Sequence, residues 1–360
     1  MSVLKSNILP RLTRLLKHLL VGSLTFVGIT LYRAGLGRLV ARRNRKAPRV
    51  LMLHCCEQTE TDFTRGLAIN ATPSQFASHL RFLSRYYRII PLAELMLGSP
   101  PEYTVAITFD DGFRSVYEQA WPLLRSRGLS ATCCLTTDVI GNRALIWINE
   151  MNWFLHRHGE IARPIVAESL RLSPRLSASE LVESARLLND PYKTSEILKR
   201  LRAEICCDPE ATARSHRLHV DWNEIEEMAA GGMTFGNHTC SHPMLENLTD
   251  DQARAEIREA GSVLARLPGA CQILAYPFGS HNASTVRIAR ELGYVCLLEV
   301  EGTNSPLDLA SIGRINVSSM STAVLFARME IVEPVKSALK RGFRRARRRQ
   351  AAASSRALPP

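Results

Sequence analysis

The sequence predicts an α/β fold, a (β/α)7 barrel of parallel strands that is interrupted by a helical insertion. Short apolar segments alternate with helical stretches along most of the chain, which is typical of parallel βαβ units. Seven such apolar segments fit a barrel better than a two-layer sheet. Residues 142–230 break this alternation with polar, helix-favouring sequence. We interpret that stretch as an insertion within one barrel and not as a second catalytic unit.

The predicted elements follow from local patterns. Seven apolar runs are predicted as strands: Val50–His54, Thr104–Phe109, Ala131–Thr136, Met233–Asn237, Ile273–Tyr276, Tyr294–Glu299 and Ser311–Val317. Four helices are predicted between them: Pro73–Tyr87, Arg114–Arg127, Asp250–Leu267 and Ser284–Leu292. Glycine directly follows the second and the fourth helix, a common way for a helix to end. Thr249 and Gln252 form a capping box at the start of the third.

The charge of the chain is divided between its ends and its body. The 360 residues carry a net charge of +12, which for a whole chain invites a nucleic-acid interpretation. However, residues 1–49 contain eleven lysines and arginines and no acid, and residues 334–360 contain nine and no acid. The body between them has a net charge of −8. Because binding to phosphates supplies most nucleic-acid affinity, an acidic body predicts no nucleic-acid partner.

The basic ends predict contact with a membrane surface. Residues 1–47 contain an apolar run at 19–32, which is shorter than the roughly 20 residues needed to span a bilayer. We interpret 1–47 as a membrane-associating segment, with a tilted N-terminal span or a cleaved signal as alternatives. The basic tail, 331–360, could touch anionic lipid or simply solubilise the chain. We expect the protein at the cytoplasmic face of the membrane, because basic flanks stay inside and three adjacent cysteine pairs favour a reducing compartment.

Two chemical motifs follow predicted strands. The run Thr108-Phe109-Asp110-Asp111-Gly112 places two adjacent carboxylates at a strand end, where barrels carry their catalytic groups. Two such carboxylates stay ionised in a dry pocket only beside a cation, so the motif indicates a cation site. The alternative interpretation is an ordinary turn without a chemical role. His238 and His242 lie four residues apart after another strand, a spacing that suits metal ligands but also arises by chance.

A third motif, Tyr276-Pro277-Phe278-Gly279, follows the strand that ends near Ala275. Alone it predicts only an irregular turn, whose backbone N–H groups could point into the barrel mouth. With the carboxylates at 108–112 and the histidines at 238–242, it makes three motifs at the ends of strands of one barrel. Their coincidence favours a functional site.

In these motifs the sequence resembles the polysaccharide deacetylases, or NodB-type carbohydrate esterases. TFDDG at 108–112, HTCSH at 238–242 and YPFG at 276–279 match three family motifs in order and spacing. The resemblance covers residues 48–320, and we predict one domain over 48–330. It implies a distorted (β/α)7 barrel. It also implies a metal-dependent hydrolase that removes an N-acetyl group from an amino sugar in a glycan or lipid-linked saccharide.

The resemblance also implies roles for single residues. Asp111, His238 and His242 would bind a divalent metal, most often Zn²⁺, with Co²⁺ or Fe²⁺ as alternatives. Asp110 would be the general base, and the Phe278 backbone N–H would stabilise the oxyanion. Tyr276, Pro277 and Gly279 would shape the substrate-binding turn.

The sequence departs from the family in three motifs, one of which, the Asp-and-Trp motif that lines the pocket, is not recognisable. Ala275 stands where the third motif usually has an arginine, and the last strand lacks the usual histidine acid. His54 is a candidate proton donor or a contact for a sugar hydroxyl, with an ordinary strand-end histidine as the alternative. A further hypothesis is that Arg314 orients Asp110. These departures also motivate an alternative function, a catalytically impaired glycan-binding module on the same barrel.

Overall fold

The computed structural model describes residues 19–339 and Gly342. Its strands are β1 (Arg49–Leu53), β2 (Arg88–Ile89), β3 (Thr104–Phe109), β4 (Thr132–Leu135), β5 (Thr234–Asn237), β6 (Ala270–Ala275), β7 (Cys296–Leu298) and β8 (Ile315–Asn316). A first helix, α1, includes residues 19–33. The further helices are α2 (Gly37–Arg43), α3 (Pro73–Tyr86), α4 (Leu92–Leu95), α5 (Trp121–Arg125), α6 (Trp147–Arg157), α7 (Gly159–Leu170), α8 (Ala178–Leu188), α9 (Pro191–Ile205), α10 (Pro209–His216), α11 (Trp222–Ala230), α12 (Asp250–Leu264), α13 (Ala283–Glu291) and α14 (Thr322–Ala327).

The strands form one parallel sheet in the order β7-β6-β5-β4-β3-β1-β8, and β2 pairs with the start of β3. The two ends of this order are joined by the chain that leads into β8. In that segment Ile312 forms a parallel bridge with Leu298 of β7, and Ile315 then pairs with Leu51 of β1. The sheet therefore curls into a barrel, as the alternation of strands and helices predicted.

All seven predicted strands correspond to observed strands, with ends that differ by a few residues. The central ones, β1 and β3, are buried along their whole length, as expected for parallel strands covered on both faces. The predicted strand Ser311–Val317 is reduced to Ile315–Asn316 and the bridge at Ile312. β2 was not predicted, because a two-residue strand has no periodicity to detect.

The predicted helices are also present. The capping box of Thr249 and Gln252 starts α12, and Thr72 with Gln75 starts α3 in the same way. The helix predicted at Arg114–Arg127 contains a π-helical turn, Val116–Ala120, before α5. π-Turns of this kind are inserted single residues that bend a helix.

The insertion is a bundle of helices. α6, α7, α8 and α9 pack on one another through buried residues such as Phe154, Val166, Leu181 and Leu201. α11, which lies within the predicted insertion, instead faces the barrel helices, since Glu224 receives a hydrogen bond from Arg114. The bundle is therefore α6–α9 with α10 beside it, and α11 is the barrel helix that precedes β5.

α1 packs on the outside of the barrel. Gly28 lies so close to α14 that an added Cβ would come within 2.5 Å of the Ala327 Cβ. The Tyr32 ring contacts Phe326 at a centroid distance of 5.2 Å and Phe82 at 5.7 Å. Within residues 19–339, no helix combines the length and the apolar character that a membrane span requires. The chain from Val332 to Leu339, at the start of the predicted basic tail, is helical and partly buried, and most of the tail lies outside the described residues.

A buried ion pair fixes the chain where it enters the barrel. Arg49, at the start of β1, is paired with Glu330, and both side chains are almost fully buried. Glu330 also accepts hydrogen bonds from the Tyr87 hydroxyl and the Asn44 side chain. This carboxylate thus joins the entry of β1, the end of α3 and the helix after α14.

We expect Glu330→Ala to lower the free energy of unfolding by about 3–5 kcal/mol, because it leaves the buried charge of Arg49 without an anionic partner. Urea unfolding followed by circular dichroism measures this loss. Glu168→Ala is the matched control, since it removes an ion pair with Arg200 whose side chains are 69% and 47% exposed, and should cost at most about 1 kcal/mol. Equal losses in the two variants would contradict the role of Glu330.

Candidate active site

The three sequence motifs meet at one edge of the barrel. Asp110 and Asp111 follow β3, His238 follows β5, and Tyr276 follows β6. These strands lie near one another in the sheet order, and all run in the same direction. Their carboxyl ends therefore share the mouth of the barrel, where barrel folds place their functional side chains.

One carboxylate oxygen and two imidazole nitrogens converge at this mouth. Asp111 Oδ1 lies 3.3 Å from His238 Nε2 and 3.2 Å from His242 Nε2. All three side chains are buried, and their nearest donor atoms lie within 4.8 Å of one another. Asp111 and His242 both adopt a positive φ, at 70° and 63°. The chain accepts this uncommon backbone conformation at the two residues that turn the ligand atoms inward.

The donor set fits a divalent metal ion. His238 Nδ1 donates to the Ala275 carbonyl oxygen at 2.8 Å, which leaves its Nε2 with a lone pair toward Asp111. Asp111 Oδ1 is buried and has no hydrogen-bond partner among the described residues, so this oxygen is free to bind a cation. One carboxylate and two imidazoles suit zinc and similar transition metals. The three residues predicted from the sequence could therefore hold such an ion.

Asp110 has a different environment. Arg314 binds both of its oxygens, with Nη1 at 2.7 Å from Oδ1 and Nη2 at 2.8 Å from Oδ2, and both side chains are almost completely buried. Arg314 also donates to the Glu299 carbonyl oxygen and to Thr108 Oγ1. The guanidinium therefore has one fixed position, from which it orients the carboxylate of Asp110.

These contacts keep both carboxylates ionised. Burial alone would raise the pKa of Asp110, but the charge and hydrogen bonds of Arg314, aided by His238, hold that pKa below its usual value. Burial likewise opposes ionisation of Asp111, and His242 and His238 hold its pKa well below the usual range. A pair of adjacent carboxylates is thus matched by one arginine and two imidazoles.

The turn after β6 contributes an aromatic ring to the site. Phe278 has a φ of 57°, and its ring packs on the His242 imidazole at a centroid distance of 4.7 Å. Tyr276 is buried, stacks on His281, and lines the same cavity as Phe278. Pro277 and Gly279 shape the turn and are not among the residues that line the cavity.

The cavity above these residues has a volume of about 590 Å³. His54, directly after β1, lines it together with Asp110 and the metal-site residues, and the His54 Nδ1 atom is buried without a hydrogen-bond partner among the described residues. Asn316 of β8 also lines the cavity. Helix α8 of the insertion also lines the cavity, with Glu180, Val182, Glu183 and Arg186.

Sequence reasoning missed Glu256, which fixes the loop between the two histidines. From α12, Glu256 Oε2 accepts from the backbone N–H groups of Cys240 and Ser241 at 2.9 and 3.0 Å, and Oε1 accepts from Ser241 Oγ at 2.6 Å. The loop is held at its other side by Asn237 Oδ1, which accepts from the Thr239 N–H. No local signal marks Glu256, because it is one of several acids on a helix in contact with a loop sixteen residues away.

We expect Glu256→Ala to weaken binding of Zn²⁺ roughly 10- to 100-fold, as loss of a supporting hydrogen bond typically does around a metal site. The reason is that the loop no longer holds His242 in its strained backbone conformation. Competition with a chromophoric chelator measures the affinity. Asp111→Asn should weaken Zn²⁺ binding more than Glu256→Ala does, since it removes a metal ligand. Glu259→Ala, on the same helix and exposed, should bind Zn²⁺ like the wild type. Identical affinities for the two alanine variants would show that Glu256 has no such role.

Comparisons with known proteins identify the family of the chain and support its fold. The family model for polysaccharide deacetylase matches residues 98–297. The Bacillus subtilis (strain 168) protein YxkH is 22% identical over 252 residues, which are 68% of this chain and 61% of YxkH, so the chain spans less than two thirds of that relative. The Streptococcus pyogenes deacetylase PplD, solved in complex with acetate, matches 79% of this chain and 98% of its own with a TM-score of 0.52 and 20% identity. IcaB from Ammonifex degensii matches 79% of this chain and 97% of its own with a TM-score of 0.51 and 18% identity. The two structures support the barrel fold, and the family model, which covers more than half of the sequence, shows that the chain belongs to the polysaccharide deacetylase family.

Proposed function

We propose that this protein removes acetyl groups from N-acetylated amino sugars of a glycan, and that it uses a divalent metal, with Zn²⁺ as the first candidate. The observation that carries the proposal is the pair of adjacent carboxylates at the barrel mouth. One of them, Asp111, lies between two imidazoles, and the other, Asp110, is held by Arg314. In this arrangement Asp111 can bind the metal, and Asp110 can accept a proton.

Asp110 is suited to act as the general base. A bound divalent metal polarises a carbonyl group and makes water acidic enough to be deprotonated near neutral pH. Asp110 is ionised, buried and unable to rotate, since Arg314 binds both of its oxygens. A base held in one orientation within hydrogen-bond reach of the attacking water typically contributes 10²- to 10⁴-fold to a rate.

Phe278 is suited to support the developing oxyanion. Its ring packs on His242, so the residue is held next to the metal-site residues, and its backbone N–H is the candidate donor. A backbone donor in this position requires no reorganisation during the reaction.

His54 is suited to protonate the leaving amine. An amide releases its nitrogen only as an amine, so a proton must reach that nitrogen, and Asn316 has no acidic proton to give. The imidazole of His54 lines the same cavity as Asp110, and the Asp110 N–H donates to the carbonyl of Leu53, which places the two residues side by side.

We expect acetate release from N-acetylglucosamine oligomers by the zinc-loaded protein, and a roughly 10²- to 10⁴-fold loss in Asp110→Asn. Asp110→Asn should also lose hydrolysis of 4-nitrophenyl acetate, because the attacking water still needs a base. His54→Gln should lose release from the oligomers but keep hydrolysis of the aryl ester, whose leaving group needs no proton.

Acetate release is measured by an enzyme-coupled assay, and zinc content by atomic absorption in every variant. Oligomer binding without acetate release in the zinc-replete wild type would overturn the proposal and favour a glycan-binding module. If His54→Gln lost activity equally toward the oligomers and the aryl ester, only the role of His54 as proton donor would be overturned.

We also propose that α1 and α2 dock the protein on an anionic membrane surface, on the cytoplasmic side. Six of the thirteen exposed large hydrophobic side chains of the described residues lie in this short segment: Leu19, Leu20, Phe26, Val27, Leu36 and Leu39. Arg33, Arg38, Arg42 and Arg43 are exposed among them. Apolar side chains with interspersed bases are typical of helices that lie in a lipid interface. The nine cysteines are free thiols, a state that suits a reducing compartment.

We expect the full-length protein to float with phosphatidylglycerol-containing vesicles and to bind pure phosphatidylcholine vesicles more weakly, since each base near an anionic surface contributes about 1 kcal/mol. Phe26→Asp with Leu39→Asp should reduce flotation. Leu187→Asp is the control, because Leu187 is as exposed as Leu39, at 62% and 64%, and lies on α8. Release by detergent but not by high salt would instead indicate a spanning segment.

A further inference from the structure

A second cavity lies beside the catalytic one, and the helical insertion builds most of it. It has a volume of about 240 Å³ and includes among its lining residues Trp147, Asn189, Thr194, Ser195, His242 and Met244. We call it the side cavity. His242 lines both cavities. Trp147 lies 5.8 Å from the Phe278 ring, which in turn packs on His242. The side cavity is therefore separated from the metal-site residues by no more than one aromatic ring.

From this juxtaposition we infer that the substrate is an uncharged glycan of at least two sugar residues, whose second residue binds in the side cavity. The inference rests on the proposed deacetylation in the catalytic cavity and names the class of glycan on which it acts. The next residue of a sugar chain lies one glycosidic bond from the reacting one. A cavity that shares a wall with the catalytic cavity is where that residue would be bound.

The side cavity has the chemistry of a sugar site. Trp147 is half-buried at its edge, and the flat apolar face of an indole suits the C–H face of a pyranose. Asn189 Nδ2 is bound to Glu246 and Asn247, whereas Asn189 Oδ1 is buried and has no hydrogen-bond partner among the described residues. Asn189 lines the side cavity, so a rotation of its amide would present this acceptor to a sugar hydroxyl. Apolar surface with a few convergent polar groups is the usual composition of a small-molecule site.

The charges of the two cavities favour an uncharged ligand. Among the described residues that line them, each cavity has one arginine. Arg202 of the side cavity is bound to Glu150 through two hydrogen bonds of 2.6 Å, and Arg186 of the catalytic cavity is bound to Glu183 at 2.6 and 2.7 Å. A pyrophosphate-linked sugar would need free bidentate donors of this kind. Because both arginines are already paired, a neutral oligosaccharide fits better than a pyrophosphate-linked one.

The side cavity is attached firmly to the barrel. Asn247, in the loop after His242, donates to the Asn189 carbonyl oxygen at 2.6 Å. With the bonds from Asn189 Nδ2, this contact ties the turn between α8 and α9 to the same loop that carries the metal-site histidine. The insertion therefore holds a fixed position next to the reacting centre.

The test is the dependence of acetate release on chain length. We would measure kcat/KM for β-1,4-linked N-acetylglucosamine oligomers of one to six residues with the zinc-loaded full-length protein. The ratio of hexamer to monomer should be high in the wild type and fall roughly tenfold, a change of about 1.4 kcal/mol, in Ser195→Trp, which fills the side cavity from an exposed position of α9. Trp147→Ala should lower the same ratio. Ser215→Trp, on the exposed face of α10, is the matched control and should leave the ratio unchanged.

Binding of the same oligomers to Asp110→Asn, measured by calorimetry, separates this inference from the proposed function. Suppose that the wild type releases acetate from no substrate, but that Asp110→Asn binds longer oligomers more tightly and the double variant Asp110→Asn with Ser195→Trp binds them more weakly. The proposed deacetylation would then be wrong, and the assignment of a sugar site to the side cavity would hold. A length dependence that is the same in Ser195→Trp and Ser215→Trp would overturn the inference. So would a preference for a pyrophosphate-linked N-acetylglucosamine over the neutral oligomers.

Discussion

Two neighbouring carboxylates that are buried together must both be matched by positive charge, and this requirement explains much of the barrel mouth. Asp110 and Asp111 are almost inaccessible to water, and ionised carboxylates in such a place are costly unless they are paired. The chain meets the requirement in two ways. A permanently charged guanidinium binds Asp110, and two imidazoles with a place for a metal ion surround Asp111. The two carboxylates are thereby given different chemical roles by their neighbours, although they are adjacent in sequence.

The parallel topology makes this possible. β3 lies in the middle of the sheet, and its carboxyl end is flanked on one side by β1 and on the other by β4 and β5. Arg314 directly precedes β8, which is two strands from β3 in the sheet order, and it lies in the chain around Ile312 and Ile315 that closes the barrel. Two groups that are about two hundred residues apart in sequence therefore meet at the barrel mouth.

The sequence predicted most of the fold and the central residues of the site. The strands were predictable because each is a local apolar run, and the site motifs were predictable because polar residues directly follow buried strands. The role of Glu256 was not predictable, because it depends on which loop lies against α12. The contribution of α8 and Trp147 to the two cavities was not predictable either, since helix-favouring composition shows that the insertion is helical but not which face meets the barrel. The contact between Arg314 and Asp110 was one hypothesis among others until the closure of the barrel was known.

The barrel cannot close until the ribosome has synthesised the segment around β8. Arg314 lies between Ile312, which bridges to β7, and Ile315, which pairs with β1, so the same few residues complete the sheet and neutralise Asp110. These residues leave the ribosome after every other strand. A nascent chain that ends before them has an open sheet edge and a buried carboxylate without its partner, and such a chain cannot complete the native core. Premature termination anywhere upstream of Ser311 therefore gives an unstable polypeptide suited to removal by proteolysis, and not a shortened but working protein.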